Sequence, residues 1–383
     1  MLRKKLYVIA DIRAGGTPSR NNPDYWNGNI PWVKISNING KYVTTYDETI
    51  TELGLKNSSA KLFEKETILY TIFATLGRVG ILQFDATTNQ AIAGIKIKDN
   101  SISTDYLYYY LRSLESYVKD IGNGAAQQNI NQTILKNFTV PVISKEKQNQ
   151  ICSELENIEN VLLKKQHDLA SLDELIKSRF IEMFGDPNFN DKNWDRLQIR
   201  DIGECVAGAT PSTKVNEYWE NGTISWLSSG EVHKRRIYST DSKITQSGYD
   251  HASTKMVPAH TVLLAMAGQG KTRGTAAMAE IPLCTNQSIC SIVNNEKINP
   301  EYLMEYLTLE YNELRSASNG GEGRGGLNLK IIGDFPINVP PINLQNEYAE
   351  FIKQIDKSKF IVQKEIKDLQ ELLDKKMDEY FGQ

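Results

Sequence analysis

Cysteine is scarce in this 383-residue chain, and the four present, Cys152, Cys205, Cys284 and Cys290, form no Cys-x-x-Cys pair. A disulfide framework or a thiolate metal knuckle needs closely spaced pairs, so free thiols in a reducing, cytoplasmic setting are expected. Histidine is as sparse. His167 stands alone, and His233, His251 and His260 have no acidic or cysteine partner at metal-ligand spacing, so no metal site is expected. No run approaches about 18 apolar residues, which excludes an expected membrane span. The opening MLRKKLYVIADIR is basic, but its apolar run, Leu6 to Ala10, is too short for the core of a signal peptide. An excess of positive charge is missing too. With 44 Lys+Arg against 47 Asp+Glu the net charge is −3, so any nucleic-acid binding must come from local patches rather than a global field. What the chain does have is 40% hydrophobic and 24% charged residues, the make-up of folded domains, at a length that suits two or three of them.

Reaction chemistry is absent as well. There is no nucleophile elbow, and no Asn/Asp-Pro-Pro-Tyr segment of the amino-methyltransferases. Asn338-Val339-Pro340-Pro341 sits ahead of a helix and reads as helix-start punctuation. One stretch does suggest a nucleotide: AMAGQGKTRG, Ala265 to Gly274, contains Gly270-Lys271-Thr272. A phosphate-binding loop needs a glycine five residues earlier and a helix behind it. Ala265 stands in the glycine's place, and the following RGTAAMAEIPL reads as strand, so the loop lacks the amides and dipole of a helix N-terminus. A nucleotide-binding enzyme is therefore the weaker reading, and a basic finger between two strands the stronger.

The chain is written twice. AGGTPSRNNPDYWNGNIPW (Ala14 to Trp32) returns as AGATPSTKVNEYWENGTISW (Ala207 to Trp226), with Thr17-Pro18-Ser19 and Tyr25-Trp26 repeated at an offset of 193. Thr88-Asn89-Gln90 returns as Thr285-Asn286-Gln287, and Tyr106-Leu107 as Tyr302-Leu303. From Phe138/Phe335 to Gly185/Gly382 the offset holds at 197 without a gap.

That ungapped part is helical. Ile151, Leu155, Ile158, Leu162, Leu169, Leu172, Ile176 and Met183 follow steps of four and three, with Lys165 and Arg179 interrupting; the second copy carries Tyr348, Ile352, Ile355, Val362, Ile366, Leu369, Leu373 and Tyr380, broken by Lys359. Both copies end in Phe-Gly, where glycine can stop a helix. Some 35 helical residues span roughly 50 Å, longer than a small domain is wide. A helix of that length with a narrow apolar seam needs a partner, and its own copy, running antiparallel, is the simplest.

The expected fold is α+β: two similar mixed α/β domains, 1–140 and 188–340, and two long antiparallel helices in 141–187 and 341–383 that form a coiled coil with a pseudo-two-fold repeat. In each domain a buried strand runs into a glycine-bearing loop, TLGRVG or GQGKTRG, and a helix follows, TDYLYYYLRSLESYVKDI capped by Thr104 in the first half and PEYLMEYLTLEYNELRSA in the second. Acid is concentrated in the helical segments, with 13 Lys+Arg against 18 Asp+Glu, whereas the first domain counts 16 against 12. A neutral protein can thus present basic loops. Lys and Arg neutralise phosphates, and Arg and Gln can pair bidentately with base edges in the major groove. The candidate DNA contacts are Lys34, Arg78, Gln127 and Gln128 in the first half and Lys234, Arg235, Gln269, Lys271, Thr272, Arg273 and Arg324 in the second.

The duplicated GGTPS…YW…IPW and GATPS…YW…ISW, the paired TNQ, AGQGKTRG, and the repeated helices ending EMFGDP and EYFGQ resemble the specificity subunits of bacterial type I restriction–modification systems. The resemblance covers the whole chain. It implies two target recognition domains, each reading one half of a split double-stranded DNA target, with the helices acting as spacer and docking two methyltransferase subunits. Restriction subunits would complete the cutting complex. S-adenosylmethionine and ATP with magnesium would reside in those partners, and this chain would carry neither a cofactor nor a catalytic role. The first half departs from the pattern by carrying TLGRVG in place of GQGKTRG, which implies different half-sites. A protein-interaction scaffold is the alternative of another class.

Overall fold

The computed structural model describes residues 2–123, 130–268, 270–318 and 326–382. They form two compact units, one from Met1–Gln166 and Lys364–Gln383, the other from His167–Gln363.

In the first unit a five-stranded sheet runs in the order Ala10–Ala14, Ile92–Ile97, Ile68–Thr71, Val79–Leu82 and Tyr42–Val43. All neighbours are antiparallel except the last pair, Tyr42–Val43 beside Val79–Leu82. A three-stranded sheet, Glu48–Ile50, Trp26–Val33 and Thr87–Thr88, mixes an antiparallel with a parallel pair. Leu2–Lys5 pairs antiparallel with Thr139–Val142. The second unit repeats this plan. Its five-stranded sheet is Gly203–Ala207, Ile289–Asn294, Val262–Ala265, Ala276–Ala279 and Arg236–Ile237, its three-stranded sheet Ser242–Ile244, Ile224–Leu227 and Cys284–Thr285, and Asp195–Gln198 pairs with Pro336–Val339. Every residue of Ile68–Thr71 and Val262–Ala265 is buried, which is why these strands read as continuous apolar runs without alternation.

The helix after the sheet is not one helix but two. Helix α1 (Thr104–Ser113) stops at Leu114 and α2 (Glu115–Asn123) starts afresh. The cap is Ser103, one residue before the expected Thr104, its Oγ accepting from the Tyr106 N–H. In the second unit α4 (Pro300–Leu309) gives way at Glu310 to α5 (Tyr311–Ala317). Helix α1 buries six consecutive residues from Tyr106 to Leu111, a ring of burial too wide for a surface helix, so the chain must turn before a polar face can reappear.

The long helices are α3 (Lys145–Phe184) and α6 (Ile342–Phe381). Gly185 closes α3 at φ +80°, and its N–H reaches the Ile181 carbonyl at 2.8 Å, the left-handed stop that glycine allows. In the first unit Ile151, Leu155, Leu162, Ile158, Ile366, Leu369 and Leu373 join one hydrophobic cluster. In the second, Leu172, Ile176, Ile352 and Ile355 join another; Leu169 and Val362 are half-buried and belong to neither. The packing is antiparallel in each unit. Glu154 pairs with Lys376 at 3.0 Å and Lys165 with Glu365 at 2.7 Å, while Asp173 pairs with Lys359 at 2.5 Å and Arg179 with Glu347 at 3.3 Å. The charges that interrupt the apolar seam are thus its cross-helix ion pairs. Partly exposed pairs contribute only about 0–1 kcal/mol each, so their main effect is to select the antiparallel register.

Two devices fasten each long helix to its unit, and both are repeated. Fully buried Gln148 donates to the Ser101 and Ile143 carbonyls (2.7 and 2.9 Å) and accepts from the Ser103 N–H at 2.9 Å. Gln345, 197 residues on, does the same with Lys297, Pro340 and the Asn299 N–H. A cation at the edge strand is the second device. Lys41 bridges Asp105 (2.9 Å) at the start of α1 and Glu156 (3.1 Å) on α3. Arg236, only 14% exposed, bridges Glu301 (2.8 Å) at the start of α4 and Asp356 (2.7 Å) on α6, and also pairs with Glu280.

Candidate nucleic-acid interface

The repeated sequence signatures bond to one another and frame the loops. Trp26 Nε1 donates to the Ser19 carbonyl and Trp32 Nε1 to the Gly16 carbonyl, both at 3.1 Å, and the rings meet edge to face at 5.2 Å. Thr17 Oγ1 donates to Gln90 Oε1 at 2.6 Å, so the TPS and TNQ segments are two sides of one contact. The second unit repeats it with Trp219 to Ser212 (3.2 Å), Trp226 to Ala209 (3.0 Å) and Thr210 to Gln287 (2.7 Å). Gly15 and Gly208 lie where this lock closes, against Thr88 and Thr285.

On that frame each unit carries a hairpin finger. In the first, Thr71 Oγ1 accepts from the Arg78 N–H at 2.8 Å and donates to the Thr75 carbonyl, so the loop is closed by its own stem. Arg78 is exposed, makes no ion pair among the described residues, and lines a groove of about 720 Å³ with Lys41, Arg112 and Glu159. In the second, Gly268 (φ +135°), Gly270 (+64°) and Gly274 (+86°) supply the left-handed turns of the finger. The strand Ala276–Ala279 follows, not a helix, so Gly270-Lys271-Thr272 has no helix N-terminus behind it and no phosphate cradle forms. Instead its carbonyls are occupied. Arg315 Nη1 donates to those of Gly270 (2.9 Å) and Arg273 (3.1 Å), and Tyr311 Oη to that of Lys271 (3.1 Å).

The remaining sequence candidates separate by partner. Lys34 is drawn onto Glu48 at 2.9 Å. Arg20 on its other side, and then Lys34, hold the Glu48 carboxyl below the ordinary range against the opposing effect of burial. Lys234 lies between Glu231 (2.8 Å) and Asp241 (2.7 Å), and Arg235 pairs with buried Glu305. The Lys234-Arg235-Arg236 run is therefore neutralised internally, and a phosphate would have to displace a carboxylate to reach it. Lys271 is exposed with no ion pair among the described residues, Thr272 bonds His233 Nε2 through its hydroxyl at 3.1 Å, and Arg273 is half-buried. Gln127, Gln128, Gln269 and Arg324 lie outside the described residues. His233 and Arg235 share a groove of about 560 Å³ with Gly274, Thr275 and Tyr311, so the finger and the basic turn meet in this unit. Sequence reasoning missed Arg315 and Tyr311; their only signal was a polar pair one turn apart beyond the helix break.

Glu310, at that break, is 6% exposed, and its Oε1 has no hydrogen-bond partner among the described residues. Burial, then the Glu313 and Asp186 carboxylates, push its acid up to about 7, with Arg196 opposing. A carboxyl raised on folding gives stability that is complete below its ordinary value and is lost as pH rises through about 7. Glu310→Gln is accordingly expected to stabilise the second unit by about 2 to 3 kcal/mol above neutral pH. The gain should vanish near the ordinary carboxyl value of 4.5, as urea unfolding at the two pH values will measure.

Among the described residues no group of His, Cys, Asp and Glu could hold a metal ion, and no helix is long and apolar enough to cross a membrane. The family model for the type I restriction modification DNA specificity domain matches twice, over residues 3–172 and 191–371. The chain is 26% identical over 329 residues to the type I restriction enzyme MjaIX specificity subunit of Methanocaldococcus jannaschii, covering 80% of this chain and 75% of the relative. It is 24% identical over 312 residues to the EcoR124I/EcoR124II specificity subunit of Escherichia coli, covering 79% and 76%. Among solved structures, a chain of a type I R-M system studied for its assembly and conformational transition aligns over 99% of this chain and 97% of its own, with a TM-score of 0.65 at 14% identity. The S subunit from M. genitalium aligns over 98% and 94% with a TM-score of 0.57 at 15% identity.

Proposed function

This chain belongs to the type I restriction–modification DNA specificity family, and on that premise we propose that its two units each read one half of a split duplex target while the long helices dock methyltransferase subunits. The observation that carries this reading is the duplicated plan: the same three sheets, in the same order, occur twice in one chain. Two copies of one reader on one chain suit two separated patches of duplex, and the bases between the patches go unread. The fingers differ while the frames agree, which supports two different half-sites. Among the described candidates, Arg78 on the first finger and Lys271 on the second are exposed without an ion pair, so affinity should rest on the assembled complex. The chain contributes recognition only; methyl transfer from S-adenosylmethionine, and ATP-driven cutting where restriction subunits join, belong to the docked partners.

Methylation mapping of a host with and without this gene tests the reading. The expected result is that one gapped motif loses its methylation throughout the genome when the gene is removed. Unaltered methylation, or loss of a continuous motif, overturns it. Binding of the assembled complex to a scrambled duplex should fall steeply with salt, as phosphate-led association does.

A further inference from the structure

The second finger is held from outside its own hairpin. Arg315, on α5, spends one nitrogen on three acceptors: the Gly270 and Arg273 carbonyls and Tyr311 Oη at 3.0 Å. Tyr311 relays the clamp to the Lys271 carbonyl. Carbonyls from 270, 271 and 273 are thus gathered on one helix. Gly274 fits closely beneath, where a Cβ would stand 3.3 Å from Arg315 Cγ and 3.5 Å from the Tyr311 ring. In the first unit Gly77 packs on its helix in the same way, a Cβ there standing 3.2 Å from Glu115 Cα and Cγ, but the carbonyl clamp has no counterpart among the described residues. There the residues 196 positions earlier are Glu115 and Lys119, which pair with each other at 2.6 Å, and the finger is closed by Thr71.

We propose that Arg315 and Tyr311 are positioning residues for base reading by the second unit: they hold residues 270–275 of the finger in the conformation that meets the duplex, and touch no nucleic acid themselves. The proposal rests on the reading of this chain as a split-target DNA reader. Its physical content is preorganisation. A finger with three left-handed glycines loses much freedom on ordering, and a clamp that orders it beforehand removes that loss from binding. Because the clamp grips backbone carbonyls, it is indifferent to the side chains at 271 and 273. Those residues can change, and with them the bases read, while the frame of the finger stays.

The test uses the full chain assembled with its methyltransferase subunits and three duplexes: the mapped target, and that target with either half scrambled. Arg315→Met is expected to lose discrimination at one half-site by roughly tenfold or more, about 1.4 kcal/mol, and to keep the other half-site unchanged. The salt dependence of binding to duplex with both halves scrambled should keep its slope, since no phosphate contact is lost. Arg315→Lys should restore part of the discrimination, and amide exchange at Gly274 and Thr275 should quicken in Arg315→Met without any DNA present. Tyr311→Phe keeps the ring over Gly274 and removes the two bonds of the hydroxyl, to the Lys271 carbonyl and from Arg315, so it carries the test if Arg315→Met does not fold; a smaller loss at the same half-site is expected. Full discrimination in these variants, or a salt slope lowered by about one, overturns the positioning role. A wild-type complex that fails to distinguish the mapped target from the scrambled duplexes overturns instead the DNA-reading premise.

Discussion

Replacing Arg236 with alanine is expected to lower the stability of the second unit by about 3 to 5 kcal/mol, or roughly 6 to 20 °C in melting temperature for a unit of this size. Arg236 is 14% exposed and gathers three carboxylates from different elements, Glu280 at 11%, Glu301 at 19% and Asp356 at 32% exposure. Its removal leaves three like charges close together in a poorly solvated place, and the loss is dominated by that residue of unpaired charge rather than by the ion pairs themselves. Arg236→Lys should recover only part of it, because an ammonium cannot present the planar fork that serves Glu301 through both terminal nitrogens, at 2.8 and 3.0 Å. Differential scanning calorimetry of the wild type and both variants checks the order. A melting temperature unchanged in Arg236→Ala would show that the edge strand and α6 are held together by packing alone.

Gly208→Ala is expected to cost the second unit about 3 kcal/mol or more, at the upper end of overpacking effects. The added Cβ would lie 1.8 Å from the Thr285 carbonyl oxygen, a backbone atom in a strand that cannot yield cheaply. Gly15 repeats the conflict in the first unit, with Thr88 Oγ1 at 2.0 Å and the Asn89 carbonyl at 2.4 Å. Gly40→Ala is the internal control: a Cβ there meets nothing within 4 Å, and a change within about 0.5 kcal/mol is expected. Denaturant midpoints for the three variants will separate steric conflict at the lock from a general effect of glycine replacement.

Much of this architecture could be read before any coordinates. The repeat, most of the apolar helix spacing (Leu169 and Val362 excepted, which join neither cluster) and the Phe184-Gly185 stop are local patterns, because helix periodicity and a glycine turn depend on near neighbours. What stayed hidden is long-range. Arg315 lies 45 residues from Gly270 in the chain, and nothing near it names a carbonyl partner. The basic run Lys234-Arg235-Arg236 invited a nucleic-acid reading because its carboxylates, Glu305 and Asp356 among them, come from distant helices. The breaks at Leu114 and Glu310 were missed for another reason: apolar spacing continues through them, while the turn is dictated by which side of α1 and α4 must be covered. Trp26 and Trp32 were visible as signatures, but their indole N–H bonds to loop carbonyls were not.

Phe381, near the end of α6, packs on Tyr106 and Tyr110 of α1, with ring centroids 5.4 and 6.0 Å apart. The chain is made from the other end, and some 270 residues separate Tyr110 from Phe381. At typical ribosomal rates of about 5 to 20 residues per second, the first unit waits roughly 15 to 50 s for the strand of helix that closes its core. During that interval the nascent polypeptide holds a half-covered aromatic surface, so the N-terminal unit is the last to be finished although it is the first to be born.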